Sequence, residues 1–340
     1  MSAPDPSTVR LPGAWRHLDV RANGVRFHAV EVGPGQDTAD RPLVLLLHGF
    51  GEFWWSWRHQ LTALSDAGYR AVAVDLRGYG DSDKPPRGYD GWTLAGDTHG
   101  LIRSLGHTEA TLVGHADGGL VCWATATLHP RVVRRIAVIA SPHPRALRHD
   151  ALLRHDQRSS FLPRFLYNQL PRLAENRLVR RDGAFIARYL TALAGESWRA
   201  TDDFTEALAR NRSAIQIPYV AHSSLEYQRW AYRSQFRPDG IRFMRLMHRR
   251  LHIPTLSLRG ADDPFITEHV MRAGHVWADR LTHVEIAGSG HFAHQEQPDA
   301  VNTALLGLLD SPMERPAGAD RITRGRRLRS RPADNGPARS

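Results

Sequence analysis

The chain is short of several things that would point to other classes of protein. It has one cysteine, Cys122, in 340 residues. A lone cysteine forms no internal disulfide, so the expected compartment is the cytoplasm. No apolar run approaches the roughly 20 residues that a bilayer-spanning helix needs. The start, Met-Ser-Ala-Pro-Asp-Pro, lacks the basic-then-apolar layout of a secretion signal. Neither G-x-x-x-x-G-K-[ST] nor G-x-G-x-x-G occurs, which argues against a bound nucleotide. His99, His143 and His294 stand at no metal-ligand spacing, so neither a metal nor another cofactor is expected. Lys84 is the only lysine, and the basic charge is otherwise arginine. Of the net charge of +10, half lies in residues 313–340, which hold eight Arg against Glu314, Asp320 and Asp334. That segment is rich in Pro, Gly, Ala and Ser and is expected to be a disordered tail. No aromatic residues interleave with its arginines, so a solvated tail is favoured over a nucleic-acid or anionic-lipid contact.

One further absence carries more weight. Residues 112–120 read Leu-Val-Gly-His-Ala-Asp-Gly-Gly-Leu. An apolar run ends in a Gly-rich turn, and a helical pattern (Leu120, Val121, Trp123, Ala124) follows. This is the context of a nucleophile elbow, small-x-nucleophile-x-small, at a sharp strand-to-helix turn. Gly114 and Gly118 fill the small positions, where a strained turn has no room for side chains. Between them, where Ser, Asp or Cys would stand, is Ala116. A carboxylate, Asp117, follows one position later.

The chain is otherwise well supplied for a large core, with 41% apolar residues. Arg16–Arg21 and Val25–Val32 alternate in polarity on either side of Asn23-Gly24, a hairpin signal. Short β-branched or Leu-rich runs follow at Leu43–Leu47, Ala71–Asp75, Ala110–Val113, Ile136–Ala140, Thr255–Leu258 and Thr282–Ile286, with helical patterns between. This alternation predicts an α/β fold with a mostly parallel eight-stranded sheet covered on both faces. Between about residues 146 and 250 no strand is evident. Helical spacing in Phe185–Leu193 and Phe204–Ala209 marks an all-helical insertion.

Functional residues gather at the carboxyl ends of parallel strands, and four more segments fall there. In His48-Gly49-Phe50-Gly51-Glu52-Phe53-Trp54, a flexible turn aims the Phe50 amide at a developing oxyanion, with the Asp117 amide as its partner. Asp75-Leu76-Arg77-Gly78-Tyr79-Gly80-Asp81-Ser82 is a polar turn that fixes loop structure. Arg259-Gly260-Ala261-Asp262-Asp263 places a carboxylate after a late strand. Gly288-Ser289-Gly290-His291 places a histidine after the last one. The order is therefore elbow, acid, histidine.

Over residues 16–310 the chain resembles the α/β-hydrolase superfamily, and within it the epoxide-hydrolase-like branch. His48 to Arg58 is similar to that branch's HGxP segment and Trp-rich helix, with Gly51 in place of the usual Pro. The resemblance implies an α/β-hydrolase fold with a core of residues 16–145 and 251–312, a helical cap of 146–250, and an N-terminal extension of 1–15. It implies that His291 is the general base and Asp263 its charge-relay acid. It implies that Tyr167 (in Leu166-Tyr167-Asn168-Gln169) and Tyr232 (in Trp230-Ala231-Tyr232-Arg233) polarise an epoxide oxygen, a task suited to neutral phenols. Phe50, Asp117 and Trp54 are the candidate oxyanion and substrate contacts; His115 is read as packing behind the elbow. In this branch the elbow Asp attacks carbon to form an ester, and Ala116 cannot.

The expected function is a cofactor-independent hydrolase acting on a small apolar electrophile, using water activated by His291, with or without participation of Asp117. The alternative is a non-catalytic pseudo-hydrolase that binds a small ligand or a protein partner. An ester or carbon–carbon bond hydrolase would call for Ser at position 116 and ranks lower. The oligomeric state is not legible.

Overall fold

The computed structural model describes residues 3–33 and 40–312; the tail read at 313–340 lies outside the described residues. Eight strands form one sheet: β1 (Trp15–Ala22), β2 (Val25–Val32), β3 (Leu43–Leu47), β4 (Arg70–Val74), β5 (Ala110–His115), β6 (Val133–Ile139), β7 (Leu251–Gly260) and β8 (Ala278–Ile286). Their spatial order is β1-β2-β4-β3-β5-β6-β7-β8. β1 and β2 form an antiparallel hairpin, β2 runs antiparallel to β4, and the remaining pairs are parallel. At the hairpin tip both Asn23 (φ 47°) and Gly24 (φ 76°) adopt the left-handed conformation, as a two-residue turn of this kind requires. β3 and β5 are buried along their whole length, which is why they read as unbroken apolar runs rather than alternating ones.

Helices α1 (Arg58–Asp66), α2 (Gly91–Ser104) and α3 (Ala116–Leu128) follow β3, β4 and β5. The stretch after β6 holds α4 (Pro144–Leu153), α5 (His155–Tyr167), α6 (Leu173–Leu193), α7 (Glu196–Arg199), α8 (Asp202–Ala214), α9 (Val220–Arg233) and α10 (Pro238–Leu246). None of the eight strands falls within this insertion. The chain breaks α6 at Arg180–Gly183, where Arg181, Asp182 and Gly183 all have positive φ. After β7 come α11 (Glu268–Arg272), α12 (Ala293–Glu296) and α13 (Pro298–Asp310). α2 packs with α3, and α1 packs with α13, giving the sheet its helical cover. No helix of the described residues is long and apolar enough to cross a membrane.

Three contacts tie the outlying parts down. The N-terminal segment makes a 3₁₀ turn over Pro6–Val9, and the Val9 carbonyl accepts the Trp54 indole N–H at 2.7 Å. Arg58 of α1 donates to Asp203 of α8 at 3.1 Å. The Tyr227 hydroxyl of α9 donates to the Arg77 carbonyl at 2.8 Å. The register aligns Leu47 with Gly114 and with Val74, and Ile139 with His115 and Leu258. The carboxyl ends of the central strands therefore finish at one level, beneath the helical insertion.

Candidate active site

The turn between β5 and α3 is as tight as its glycines suggest. A Cβ on Gly114 would lie 2.5 Å from the Gly118 carbonyl carbon, and one on Gly118 would lie 2.1 Å from the Leu47 oxygen. Neither position accepts a side chain. Ala116, at the apex, has φ 45°, a conformation that costs an alanine on the order of 1 kcal/mol. The Ser141 hydroxyl donates to its carbonyl at 2.7 Å. The amide of Asp117, in the first turn of α3, has no intrahelical acceptor, and Phe50 stands opposite on the same cavity wall.

Asp117 neither caps its own helix nor bonds to His291. Its Oδ2 is shut off from solvent and has no hydrogen-bond partner. Burial raises its pKa from 3.8 to about 6, with the nearby His115 pulling it down and Glu52 pushing it up.

His291 follows the last strand and is fully buried. Its Nδ1 lies 2.8 Å from Asp263 Oδ2. The other oxygen of Asp263 accepts the backbone amides of Phe265 at 2.7 Å and Ile266 at 3.1 Å. Burial works against the Asp263 charge, but the imidazole and the two amides hold its pKa below the ordinary value. With Nδ1 committed to the carboxylate, Nε2 is the basic nitrogen. It is buried, without a hydrogen-bond partner, on the wall of the cavity that holds Ala116 and Asp117.

Behind the elbow lies a buried network in which Glu52 was not recognised from sequence. Glu52 Oε2 accepts the Gly49 amide at 2.8 Å and faces His115 Nδ1 at 2.6 Å. Its Oε1 accepts from Gln295 at 2.9 Å. The Nε2 of His115 meets the backbone carbonyl of His291 at 3.0 Å. Both ring nitrogens thus face acceptors, and despite its burial the His115 pKa is raised by Glu52. Glu52 in turn, though burial opposes its charge, is held well below the usual carboxylate range by His115. This ion pair ties the loop after β3 to the loop bearing His291. The only signal for Glu52 was its place in the turn beside Phe50.

The cavity has a volume of about 510 Å³, in the range that suits a small-molecule ligand. Phe50, Asp117, His291 and Tyr232 all border it. Tyr232 sits at the rim, 36% exposed. Two expected contacts are corrected. Tyr167 is not in the wall: α5 lines the cavity with Phe161, Leu162, Arg164 and Phe165. Two residues beyond Phe165, Tyr167 falls off that helical face, and its ring lies instead beneath the Arg177 guanidinium at 4.5 Å. Trp54 is not in the wall either: it is wholly buried against Trp15, His17 and Trp55. The phenols that do face the cavity from deeper in the cap are Tyr189 of α6 and Tyr227 of α9. Burial raises both of their pKa values, and Asp117 adds to each, so both stay neutral. Tyr227 spends its proton on Arg77, whereas Tyr189 has no hydrogen-bond partner among the described residues.

Folding also brings His294 next to Glu52 and His115, with one ligand atom from each lying within 4.8 Å of the others. Glu52 already accepts from Gly49, His115 and Gln295 there, so a cation would have to displace an existing ion pair. Glu268, His283 and Glu285 make a second, more exposed group.

Comparison with known proteins agrees with this architecture. Residues 42–298 match the model of the alpha/beta hydrolase fold family. The chain is 32% identical to mouse epoxide hydrolase 4 over 319 residues, covering 91% of this chain and 84% of that protein. It is 32% identical to epoxide hydrolase A of Mycobacterium tuberculosis over 325 residues, covering 87% and 98%. The crystal structure of epoxide hydrolase A from Mycobacterium thermoresistibile superposes with a TM-score of 0.72 at 29% identity, covering 87% of this chain and 98% of that one. With the sheet order, the elbow and the acid–histidine pair in place, the chain belongs to the α/β-hydrolase family, among its epoxide-hydrolase-like members.

Proposed function

We propose that this chain is a cofactor-independent hydrolase that opens a small apolar electrophile, an epoxide first among them, by direct attack of water. The observation that carries the reading is the His291 Nε2: buried, unpaired, backed by Asp263, and on the same cavity wall as the elbow. A general base needs that arrangement, and a packing histidine does not. Water gives its proton to Nε2 while its oxygen bonds to the electrophilic carbon. The imidazolium is stabilised by Asp263, which stays ionised. The breaking C–O bond leaves an alkoxide that takes a proton from the neutral Tyr189 phenol. The imidazolium of His291 then passes its proton through solvent to the Tyr189 phenolate, which restores both groups, and the net product is a diol. For an activated ester in place of an epoxide, the Phe50 and Asp117 amides are the donors available to a tetrahedral oxyanion. Asp117, titrating near pH 6, orients the water rather than attacking carbon, since its position one residue along the turn denies it the geometry of the apex.

A second reading is favoured by Ala116 itself. With no nucleophilic atom at the apex, the cavity would bind a ligand without turning it over. Turnover of aryl and alkyl epoxides and activated esters by the native chain and by His291→Ala separates the two. Native turnover that drops by at least about 10²-fold in His291→Ala supports the enzyme. A native chain that is inert, while Ala116→Asp is active, establishes the binder.

A further inference from the structure

The cavity wall carries an arginine, Arg164, that forms no ion pair among the described residues. Arg164 projects from the cavity-facing side of α5, with its guanidinium carbon 4.7 Å from the Tyr189 ring centre and 4.8 Å from that of Phe265. Its Nη1 is shut off from solvent and has no hydrogen-bond partner. Among the described residues no carboxylate pairs with it. Arg164 as a whole is half-buried; three fully buried arginines each have a carboxylate, Arg77 with Asp97 at 2.6 Å, Arg229 with Glu175 at 2.7 Å, and Arg259 with Glu285 at 2.9 Å. A guanidinium cannot shed its charge at any working pH. Aromatic faces attract it but accept none of its N–H bonds in the plane of the fork. Leaving the shut-off Nη1 without an acceptor is costly, and the acceptor it lacks is one a ligand can bring.

We infer that Arg164 is a specificity-determining residue, and that the cavity takes an apolar molecule bearing a carboxylate, held by the Arg164 fork. The planar fork matches a carboxylate with two parallel hydrogen bonds. The walls around it, Phe161, Phe165 and Phe265, suit an aryl or alkyl body. Phe265 also fixes the distance to the chemistry: its ring touches Arg164 on one side and lies 5.3 Å from the His291 ring on the other. A molecule anchored at Arg164 thus presents atoms a short chain away to His291. The inference rests on the cavity being the working site, as proposed above.

Calorimetric titration of the full-length protein with 4-phenylbutyrate and with its neutral amide tests this. The carboxylate is expected to bind about tenfold tighter or more. In Arg164→Gln the ratio should fall to about one with affinity for the amide unchanged, which also shows that the variant is folded. In Arg148→Gln, which alters the exposed arginine at the cavity edge, the ratio should persist. Equal native binding of acid and amide overturns the inference and leaves the cavity reading intact. So does a preference that survives Arg164→Gln, and so does loss of amide binding in that variant. If neither ligand binds the native chain, the cavity reading falls and the inference falls with it.

Discussion

Replacing Asp117 by Asn should stabilise this protein, and should do so more strongly as the pH rises. The carboxyl has a pKa of about 6 in the folded chain against an ordinary 3.8, because burial disfavours its charge. Between those two values the native state holds more protons than the unfolded state, so stability falls as pH rises. At pH 5 the charged carboxylate costs about 1.6 kcal/mol, and above pH 7 the cost levels off at about 3 kcal/mol. An asparagine has the same shape and does not ionise. Whatever its amide gains or loses in contacts is constant with pH, so the pH dependence isolates the titration. The advantage of Asp117→Asn over the native chain should therefore grow by about 1.4 kcal/mol from pH 5 to pH 8. For a chain of this length, roughly 2 °C of melting temperature per kcal/mol turns this into a lead that widens by about 3 °C. Thermal unfolding of both proteins across that range reads it directly. A constant or narrowing lead would refute the reasoning, because it would mean that the carboxylate is solvated or partnered. A widening lead would identify Asp117 as a group kept at the expense of stability, as residues serving a site often are.

Asp263→Asn should lower turnover by two orders of magnitude or more while leaving ligand affinity near native, because it removes the group that orients His291 and stabilises its charged form; steady-state rates beside calorimetric binding check this. Ala116→Asp should fold, since aspartate tolerates the left-handed backbone at this position better than alanine. In combination with His291→Gln it should trap an ester with an epoxide, visible as an intact-mass increase of one substrate. Glu52→Gln should cost about 3 kcal/mol of stability by leaving the buried His115 without its counter-charge, measured by denaturant unfolding. Tyr189→Phe should reduce turnover at least about tenfold, whereas Tyr167→Phe should leave it unchanged; equal effects would show that the cavity phenol is misassigned.

The sheet was legible because its evidence is local. Each parallel strand declares itself within four or five residues, and an Asn-Gly turn announces the only hairpin among the eight strands. The cap was legible as helical but not as a set of faces. Tyr167 and Tyr232 both lie in helices, yet which side of a helix meets the cavity depends on how it packs, and that is settled by contacts with distant helices. Arg164 and Tyr189 were missed for the same reason. Glu52 stood in plain view, but its meaning lay in His115, 63 positions away, and Gln295, 243 away.

The elbow shows why fold and chemistry separate at this site. Its signature is a pattern of small residues, and the structure explains that pattern by packing: Gly114 has no room for a Cβ beside the backbone of Gly118, and Gly118 has none beside that of Leu47 and His48. Those constraints hold whatever stands at the apex. The turn keeps φ 45° at Ala116 although an alanine gains nothing from it, so the surrounding packing, not the side chain, sets the conformation. A strand-turn-helix pattern can therefore be read with assurance while its nucleophile is absent. The fold depends on many contacts that report one another; the reaction depends on a few atoms that report only themselves. Here those atoms are the Nε2 of His291 and the Oδ2 of Asp117, each shut off from solvent without a hydrogen-bond partner on one cavity wall, and the chemistry has to be decided there.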